Sequence, residues 1–466
     1  MTDGNTTATS LNAVLPPLKD KRSFMDYTMK LLLAVFFFLL PLQTRYFFRE
    51  VSLYEYGTLS VFLVEILGWV IILLGLIKIQ GIKIHEYKNI KILRSPLFLY
   101  SCIFIFLGFT SIAWAPDKVA ALQAAVRLFE GVLLYCIVQS LAFARGATQK
   151  LSFNWVAYAF FAGAMLQAVL GIYQFLTQSA FASTILGMAL HDPIAAGTSV
   201  VEFADERWLR AYGGLPHPNV LGGYLVVALA FALYLIRRVN ISKPQYYLLL
   251  TTYFLLLTGI FFSFSRAAWL ATIGLLSYWV IKLLWQKQRH SEGAQRPKNP
   301  VQKETGSLAT LGMTVLYVAI LAFVFRPLVA TRVMSTSGSR LEAKSRVERV
   351  EGMRESWQLI KKQPVLGVGI GNYTQAVARE VRPDDPLYTY QPAHNVFLLV
   401  WAELGLAGLA LFVAVLYFIF KQSKFYILHF TFLILLLFDH YLWSLPFGTL
   451  LFWSVMGMLQ SDTPLE

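Results

Sequence analysis

Charged residues are scarce in this sequence. Only 14% of its residues are Asp, Glu, Lys or Arg, against roughly 25% in a typical soluble domain. Hydrophobic residues make up 57% of the chain. A charge content this low excludes an ordinary soluble enzyme and indicates that most of the molecular surface faces lipid.

Cysteine is also nearly absent. The two cysteines, Cys102 and Cys136, both fall within apolar runs. Two thiols in such positions exclude a disulfide framework, and no Cys and His spacing typical of a zinc site accompanies them. Cross-links through sulfur therefore do not hold this fold together.

The sequence contains long apolar runs with few charged residues. Residues 29–42, 60–77 and 246–264 approach or reach the ~20 apolar residues that cross a bilayer core. Backbone groups in lipid must find hydrogen-bond partners within their own segment, so these runs predict helices. The sequence therefore predicts an all-α polytopic membrane protein with about twelve transmembrane helices. The predicted spans are 27–43, 57–78, 96–114, 120–142, 153–176, 219–237, 246–264, 267–285, 308–326, 394–420, 424–438 and 441–459.

Lysine and arginine are distributed unevenly between the two sides of these spans. With the N-terminus inside, the short inner loops hold twenty Lys and Arg residues and the short outer loops hold six. Basic residues favour the cytoplasmic side, so both termini are predicted to be cytoplasmic. Polar residues 1–18 precede the first apolar run and no small-residue cleavage site follows it, so the first helix is expected to be retained.

The predicted spans divide the chain into four parts. A large outer loop separates the ninth span from the tenth. Within it, the apolar residues of 345–363 recur at three- and four-residue spacing, which predicts an amphipathic helix. The parts are a cytoplasmic tail (1–26), helices one to nine with an outer loop at 177–218 (27–326), the large outer loop (327–393), and helices ten to twelve with a short cytoplasmic tail (394–466).

Polar side chains at the outer boundary are the candidates for chemistry, because ionisable groups near a membrane are costly and usually functional. Arg266 lies between two spans that almost no loop separates, beside Ser263 and Ser265. It is either an arginine that reaches to the interface from a tight turn or a ligand for an anion.

A second candidate segment opens the sixth span. Arg210 precedes His217-Pro218-Asn219, which begins a predicted helix. His217 is either an ordinary turn residue or part of an anion site, because the free N–H groups at a helix N-terminus bind anions.

His394 and Asn395 begin the tenth span. A single histidine at a helix start is either structural or a general base, and the arginines on the same side favour the second interpretation. Guanidinium groups suit a phosphate or pyrophosphate. The only paired carboxylates on this side are Asp384 and Asp385, in a Pro-Asp-Asp-Pro segment that is interpreted as a turn, so neither a divalent metal nor another cofactor is expected.

Four segments in order resemble the O-antigen ligase and O-antigen polymerase superfamily of bacterial membrane proteins. The last of them is similar to that family's His-Asn…Glu-x-Gly-x-x-Gly signature. The segments are RAYGGLPHPNVLGGYL (210–225), FSFSRAAWLA (262–271), RVEGMRESWQLIKKQPVLGVGIGNY (349–373) and AHNVFLLVWAELGLAG (393–408).

This resemblance implies a membrane C-type glycosyltransferase of the bacterial inner membrane, with its active site on the periplasmic face. The implied donor is a glycan on undecaprenyl pyrophosphate, and the first choice of acceptor is lipid A-core, as in an O-antigen ligase. An O-antigen polymerase and a protein O-oligosaccharyltransferase share the motifs and stay open as alternatives. Membrane lipids are expected partners, and nucleic acid is not.

The resemblance and the residue chemistry together assign roles at the site. His394 is expected to be the general base of an inverting, metal-independent transfer. Arg210, Arg266 and Arg349 are expected to bind the pyrophosphate. Arg349 is chosen among the outer-loop arginines by its spacing to Pro364. The residues expected to orient substrate are His217, Asn219 and Asn395.

Two other classes of protein compete with this interpretation. A transporter or flippase for an anionic lipid would also carry arginines, but it should place charge at mid-membrane depth and show an internal repeat. If the protein is instead a non-catalytic scaffold of an envelope assembly complex, replacement of His394 by alanine should leave the glycan products unchanged.

Overall fold

The computed structural model shows a mostly helical chain. It describes residues 21–51, 54–80, 95–143, 150–238, 243–291, 301–334, 340–423 and 425–459. Most of the predicted cytoplasmic tail at 1–26, and the last seven residues of the chain, lie outside these ranges.

The helices follow one another along the whole described chain. Two short pairs of strands lie between helices in the predicted outer segments. The helices are α1 (Lys21–Leu39), α2 (Leu63–Gln80), α3 (Pro96–Thr110), α4 (Lys118–Phe143), α5 (Lys150–Thr177), α6 (Pro218–Arg238), α7 (Lys243–Phe262), α8 (Arg266–Ser291), α9 (Val301–Val324), α10 (Arg326–Met334), α11 (Arg340–Lys362), α12 (Tyr373–Glu380), α13 (Val396–Gln422), α14 (Tyr426–Phe438), α15 (Tyr441–Ser444) and α16 (Pro446–Leu459).

Eleven of the twelve predicted spans each coincide with one helix, and the predicted span 441–459 is divided at Leu445 into α15 and α16. Among the described residues, four helices have the length and hydropathy to cross a membrane, and a fifth is added if α9 and α10, bent by 92°, count as one span. The chain is thus an α-helical polytopic membrane protein, while the count of twelve stays a prediction. The four helical segments are Pro96–Ala113, Lys118–Leu141, Trp155–Thr177 and Val396–Gln422.

Two small antiparallel hairpins depart from the all-α expectation, and both precede helices on the predicted outer side. Strand β1 (Arg45–Arg49) pairs with β2 (Leu59–Phe62), so α2 begins later than the predicted span at 57–78. Strand β3 (Val200–Phe203) pairs with β4 (Glu206–Leu209). Both residues that join β3 to β4 have positive φ, as a type I′ hairpin turn requires.

Helix α6 occupies the middle of the bundle. Its residues 224–230 are all fully buried. The Tyr224 ring meets Phe160 of α5 and Phe447 of α16 edge-on, at centroid distances of 5.4 and 5.5 Å. Because lipid tails are as apolar as these side chains, close packing of this kind holds the helices together. It also fixes the start of α6, which carries His217 and Asn219.

Helix α13 is broken at Gly405, whose φ is 66° and ψ is −171°. The break frees two carbonyl groups of the first half of the helix. The Val368 N–H donates to the Ala402 carbonyl at 2.9 Å, and the Gly369 N–H donates to the Glu403 carbonyl at 2.8 Å. The glycine-rich loop at 364–371 is therefore bonded to α13 at the kink.

The Glu403 side chain completes this junction. Its Oε2 accepts hydrogen bonds from the Gly371 N–H at 2.9 Å and from the Trp443 indole N–H at 2.8 Å. The carboxylate therefore joins the loop to α15. In the Glu-x-Gly part of the signature, the glutamate thus bonds the loop to the helix and the glycine permits the break in the helix.

We expect Gly405→Ala to destabilise the protein. This φ and ψ combination is almost restricted to glycine and costs other residues about 1–3 kcal/mol, and a Cβ here would overlap the Val365 carbonyl. The matched control is Gly312→Ala inside α9, where a Cβ meets nothing within 4 Å. Thermal unfolding in detergent should show a lower midpoint for the first variant and an unchanged or higher one for the second. Equal midpoints would contradict the strained junction.

Candidate functional site

A cavity of about 690 Å³ opens among the outer segments. Its wall is built from the loop before α6, from the first turns of α11, and from the residues that flank α13 and α14. Both strand pairs also contribute residues to its wall. The cavity gathers polar side chains from segments more than two hundred residues apart.

Arg210 lies in this wall and is almost fully buried. Its Nε–H donates to the Ser263 carbonyl at 2.8 Å, and its Nη2 donates to the Asn219 side-chain oxygen at 2.7 Å. Burial, followed by the nearby cation of Arg332, lowers the pKa of Arg210 well below its usual range. In the described part of the chain no carboxylate lies within ion-pair distance of it, so an anionic ligand would relieve this charge.

His217 is held at both ring nitrogens. Nδ1 accepts the Asn219 backbone N–H at 3.1 Å, so Nε2 carries the proton and donates to the Ser199 hydroxyl at 3.0 Å. Burial and the neighbouring cation of Arg210 lower the pKa of His217 well below its usual range. The ring is therefore neutral and has no free lone pair with which to act as a base.

Arg266 and Arg332 share one carboxylate. The Arg266 Nη1 lies 3.5 Å from Glu342 Oε2, and Arg332 pairs with Glu342 Oε1. Arg332 also donates from Nε to the Phe264 carbonyl at 2.8 Å. The Nε and Nη2 of Arg266 are buried without a hydrogen-bond partner, which indicates unused capacity for an anion.

Arg349 projects from α11 and lines the same cavity. Burial and the cation of Arg266 lower the pKa of Arg349, while Asp439 and Glu342 act in the opposite direction. Three guanidinium groups, those of Arg210, Arg266 and Arg349, thus outnumber the two carboxylates of Glu342 and Asp439. An anion of charge two or more fits such a balance.

His394, Asp439 and His440 lie together at one side of the cavity. The His394 Nδ1 is 3.6 Å from Asp439 Oδ1, and that ring is one-quarter exposed while the carboxylate is buried. Burial alone would raise the pKa of Asp439, but the adjacent imidazole of His394, with His440 and His217, holds it below its usual range. The aspartate is therefore an anion beside the histidine.

The second ring of this group is also oriented. His440 lies 5.1 Å from His394 between ring centroids, and its Nδ1 is 2.6 Å from the Ser444 hydroxyl. Its backbone N–H donates to Asp439 Oδ1 at 2.8 Å. Burial, together with the neighbouring imidazole of His394, lowers the pKa of His440 to about 4, so this ring is neutral at neutral pH.

Asn395 acts at the helix start. Its side-chain oxygen accepts the Leu398 N–H at 3.0 Å, and its side-chain nitrogen donates to the Leu437 carbonyl at 3.2 Å. These bonds tie the start of α13 to the end of α14, and so keep His394 beside Asp439. Direct contact of Asn395 with substrate stays a prediction.

Comparison with known protein families matches residues 251–413 to the family described as O-antigen ligase. This match, which covers about a third of the chain, supports its similarity to the O-antigen ligase-like superfamily. The resemblance inferred from the four segments is thereby confirmed at the level of the superfamily. A search of curated proteins finds no match.

The matched region includes Arg266, Arg349 and His394, whereas Arg210 and Asp439 lie outside it. The family and the apolar helices together support a multi-pass membrane protein with a glycosyltransferase-like function. They imply glycan and lipid substrates in general terms.

The structure brings most of the predicted site residues to one place. Arg266 reaches the cavity region only through Glu342, and Asn395 is not part of the wall. The predicted residues that line the cavity are Arg210, His217, Asn219, Arg349 and His394.

Sequence reasoning on this O-antigen ligase-like chain missed four residues. Arg332 and Glu342 were not distinguished from the other charges of the outer loop. Asp439 and His440 fall in the two-residue gap between the predicted spans 424–438 and 441–459. An acid and a histidine in an outer turn were a usable signal, because nothing in a simple connection requires them.

Proposed function

We propose that this protein transfers a glycan from undecaprenyl pyrophosphate to an acceptor sugar on the periplasmic face of the bacterial inner membrane. O-antigen ligation to lipid A-core is the version of this reaction that we favour. The observation that carries the proposal is the convergence of Arg210, Arg349 and His394 on one cavity with an excess of positive charge.

The arginines would act on the leaving group. As the bond between the anomeric carbon and the pyrophosphate oxygen breaks, its electron pair moves to the phosphate. Preformed cationic donors stabilise that charge without reorganisation. Arg210 is fixed by Ser263 and Asn219, and Arg349 adds a second guanidinium, while Arg266 has two unused donors.

His394 would act on the acceptor. Asp439 faces Nδ1, so the neutral ring would carry its proton there and present the Nε2 lone pair to the acceptor hydroxyl. The hydroxyl oxygen forms the new bond to the anomeric carbon as its proton passes to Nε2. Attack opposite the leaving group would invert the anomeric centre.

This mechanism does not require a metal ion. Each charge-assisted hydrogen bond from a guanidinium contributes on the order of 1.5–3 kcal/mol, so two or three could replace a divalent cation at the pyrophosphate. His217, which has both nitrogens engaged, would hold the start of α6 and orient substrate through Asn219.

The proposal is tested by glycan transfer with purified protein and a lipid-pyrophosphate donor in a strong chelator. Lipid A-core, a second lipid-linked glycan and a Ser/Thr peptide serve as parallel acceptors. Transfer to the first supports ligation, whereas the second or third would identify a polymerase or a protein oligosaccharyltransferase. Product stereochemistry tests inversion. Absence of transfer to all three, with movement of the donor lipid across a vesicle membrane, would identify a flippase.

We expect Asp439→Asn to lower transfer by about 10- to 150-fold. An asparagine cannot stabilise the imidazolium that forms on His394, and the hydrogen bond that this charged ring would make to Asp439 contributes roughly 1.5–3 kcal/mol. In the background of His394→Ala the same substitution should cost nothing further, because it acts through that ring. Equal losses in both backgrounds would assign Asp439 a separate role.

A further inference from the structure

His394, Asp439 and His440 together have the composition of a metal site. Each presents one possible ligand atom, and these three atoms lie within 4.8 Å of one another. We propose that they form a site for a zinc-like transition-metal cation, and that the bound cation blocks transfer.

The three groups have free ligand atoms. The Asp439 Oδ2 is buried without a hydrogen-bond partner, since the His440 backbone N–H occupies Oδ1. The His394 Nδ1 is also buried without a hydrogen-bond partner. The His440 Nδ1 is engaged by Ser444, which leaves Nε2.

The ligand set selects the kind of cation. Two imidazoles and one carboxylate, with a fourth position open to the cavity, match the three-ligand zinc arrangement. Mg²⁺ and Ca²⁺ prefer oxygen ligands and would bind poorly here. The Ser444 hydroxyl and the His440 backbone N–H already orient two of the ligands, as outer partners do in zinc sites.

Nearby charge limits the affinity. Arg349 and Asp439 interact electrostatically, and Arg210 lines the same cavity. These cations oppose a second positive group, so we expect micromolar rather than nanomolar binding. Contraction of the three ligand atoms around a metal requires only small side-chain movements, because zinc–ligand bonds of ~2.0–2.2 Å place ligand atoms somewhat closer than 4.8 Å.

The inhibitory effect rests on the proposed function, whereas metal binding does not. A metal on Nδ1 of His394 takes the position of the Nδ1 proton and leaves Nε2 protonated. The ring then has no lone pair to accept the proton of the acceptor hydroxyl. Occupancy by the metal and general-base action are therefore mutually exclusive at this one imidazole.

Binding is measured first, without substrate, on full-length protein that carries no polyhistidine tag and has been stripped by a chelator. We expect one Co²⁺ per chain with a visible spectrum of four-coordinate nitrogen and oxygen ligation, displaced by Zn²⁺. His440→Ala should weaken binding at least tenfold. His191→Ala, which removes another cavity histidine outside the cluster, should not. Thermal unfolding verifies that each variant is folded, and Asp439→Asn provides a second ligand substitution.

The second measurement is transfer. Zn²⁺ should inhibit the metal-free enzyme at the concentrations that fill the site, EDTA should restore transfer, and Mg²⁺ should have no effect. Absence of Co²⁺ binding, or equal binding by wild type and folded His440→Ala, would overturn the metal site. Co²⁺ binding by a protein that transfers no glycan would instead overturn the proposed function and keep the metal site.

Discussion

Replacement of His394 by alanine should lower glycan transfer by about 10²- to 10⁴-fold, the usual contribution of a general base. The ring is one-quarter exposed at the cavity, beside the buried carboxylate of Asp439, and it is the histidine there whose Nδ1 faces an acid. Without it, the acceptor hydroxyl must lose its proton to water. Initial rates with saturating donor measure the loss.

The matched control is His191→Ala. This histidine lines the same cavity but stacks on Tyr212, at a centroid distance of 3.9 Å, and takes no part in the proposed reaction. Its loss should change the rate much less. Transfer unchanged in His394→Ala would remove the base from the mechanism and favour a scaffold role for the protein.

Arg349→Ala should produce the next largest loss, about 10- to 150-fold in kcat/KM. This corresponds to one charge-assisted contact of roughly 1.5–3 kcal/mol to the leaving group. Because the charge develops as pyrophosphate departs, the loss should appear mainly in kcat. Arg349→Lys should recover only part of it, since an ammonium group cannot bind two phosphate oxygens as a guanidinium fork does.

Arg354→Ala is the control on the same helix. Arg354 is exposed and is not part of the cavity wall, so its removal should leave transfer within about twofold of wild type, as for most exposed substitutions. If Arg349→Ala and Arg354→Ala behave alike, α11 contributes a general positive field instead of a specific contact, and the leaving-group assignment fails for Arg349.

The periodicity and charge of the sequence were sufficient to predict the helices. Every apolar run is helical, because a run of that length in lipid has few alternatives to helix, although the last run is broken at Leu445. The hairpins were not predicted, because strands β1 to β4 have only four or five residues each. The break at Gly405 was also missed, since it depends on bonds to a loop that ends more than thirty residues earlier in the chain.

The sequence predicted several residues of the site but not how they pair. Arg349 was selected among many outer-loop arginines by its spacing to Pro364, and it does line the cavity. Asp439 could not be paired with His394 from sequence, because the two are 45 positions apart and only the packing of α13 against α14 brings them together. Their catalytic roles stay predictions until the variants are measured.

The kink in α13 links the two halves of the proposed chemistry. Helix α11 ends at Lys362, and the Pro364 carbonyl that follows accepts the Leu406 N–H at 2.9 Å, one residue beyond the kink. The helix that bears the phosphate-facing arginine is thus fastened by main-chain bonds to the helix that begins beside His394. Bilayer thickness and lipid composition would then govern how substrates reach the cavity, while the spacing between its cation and its imidazole is set by the protein backbone.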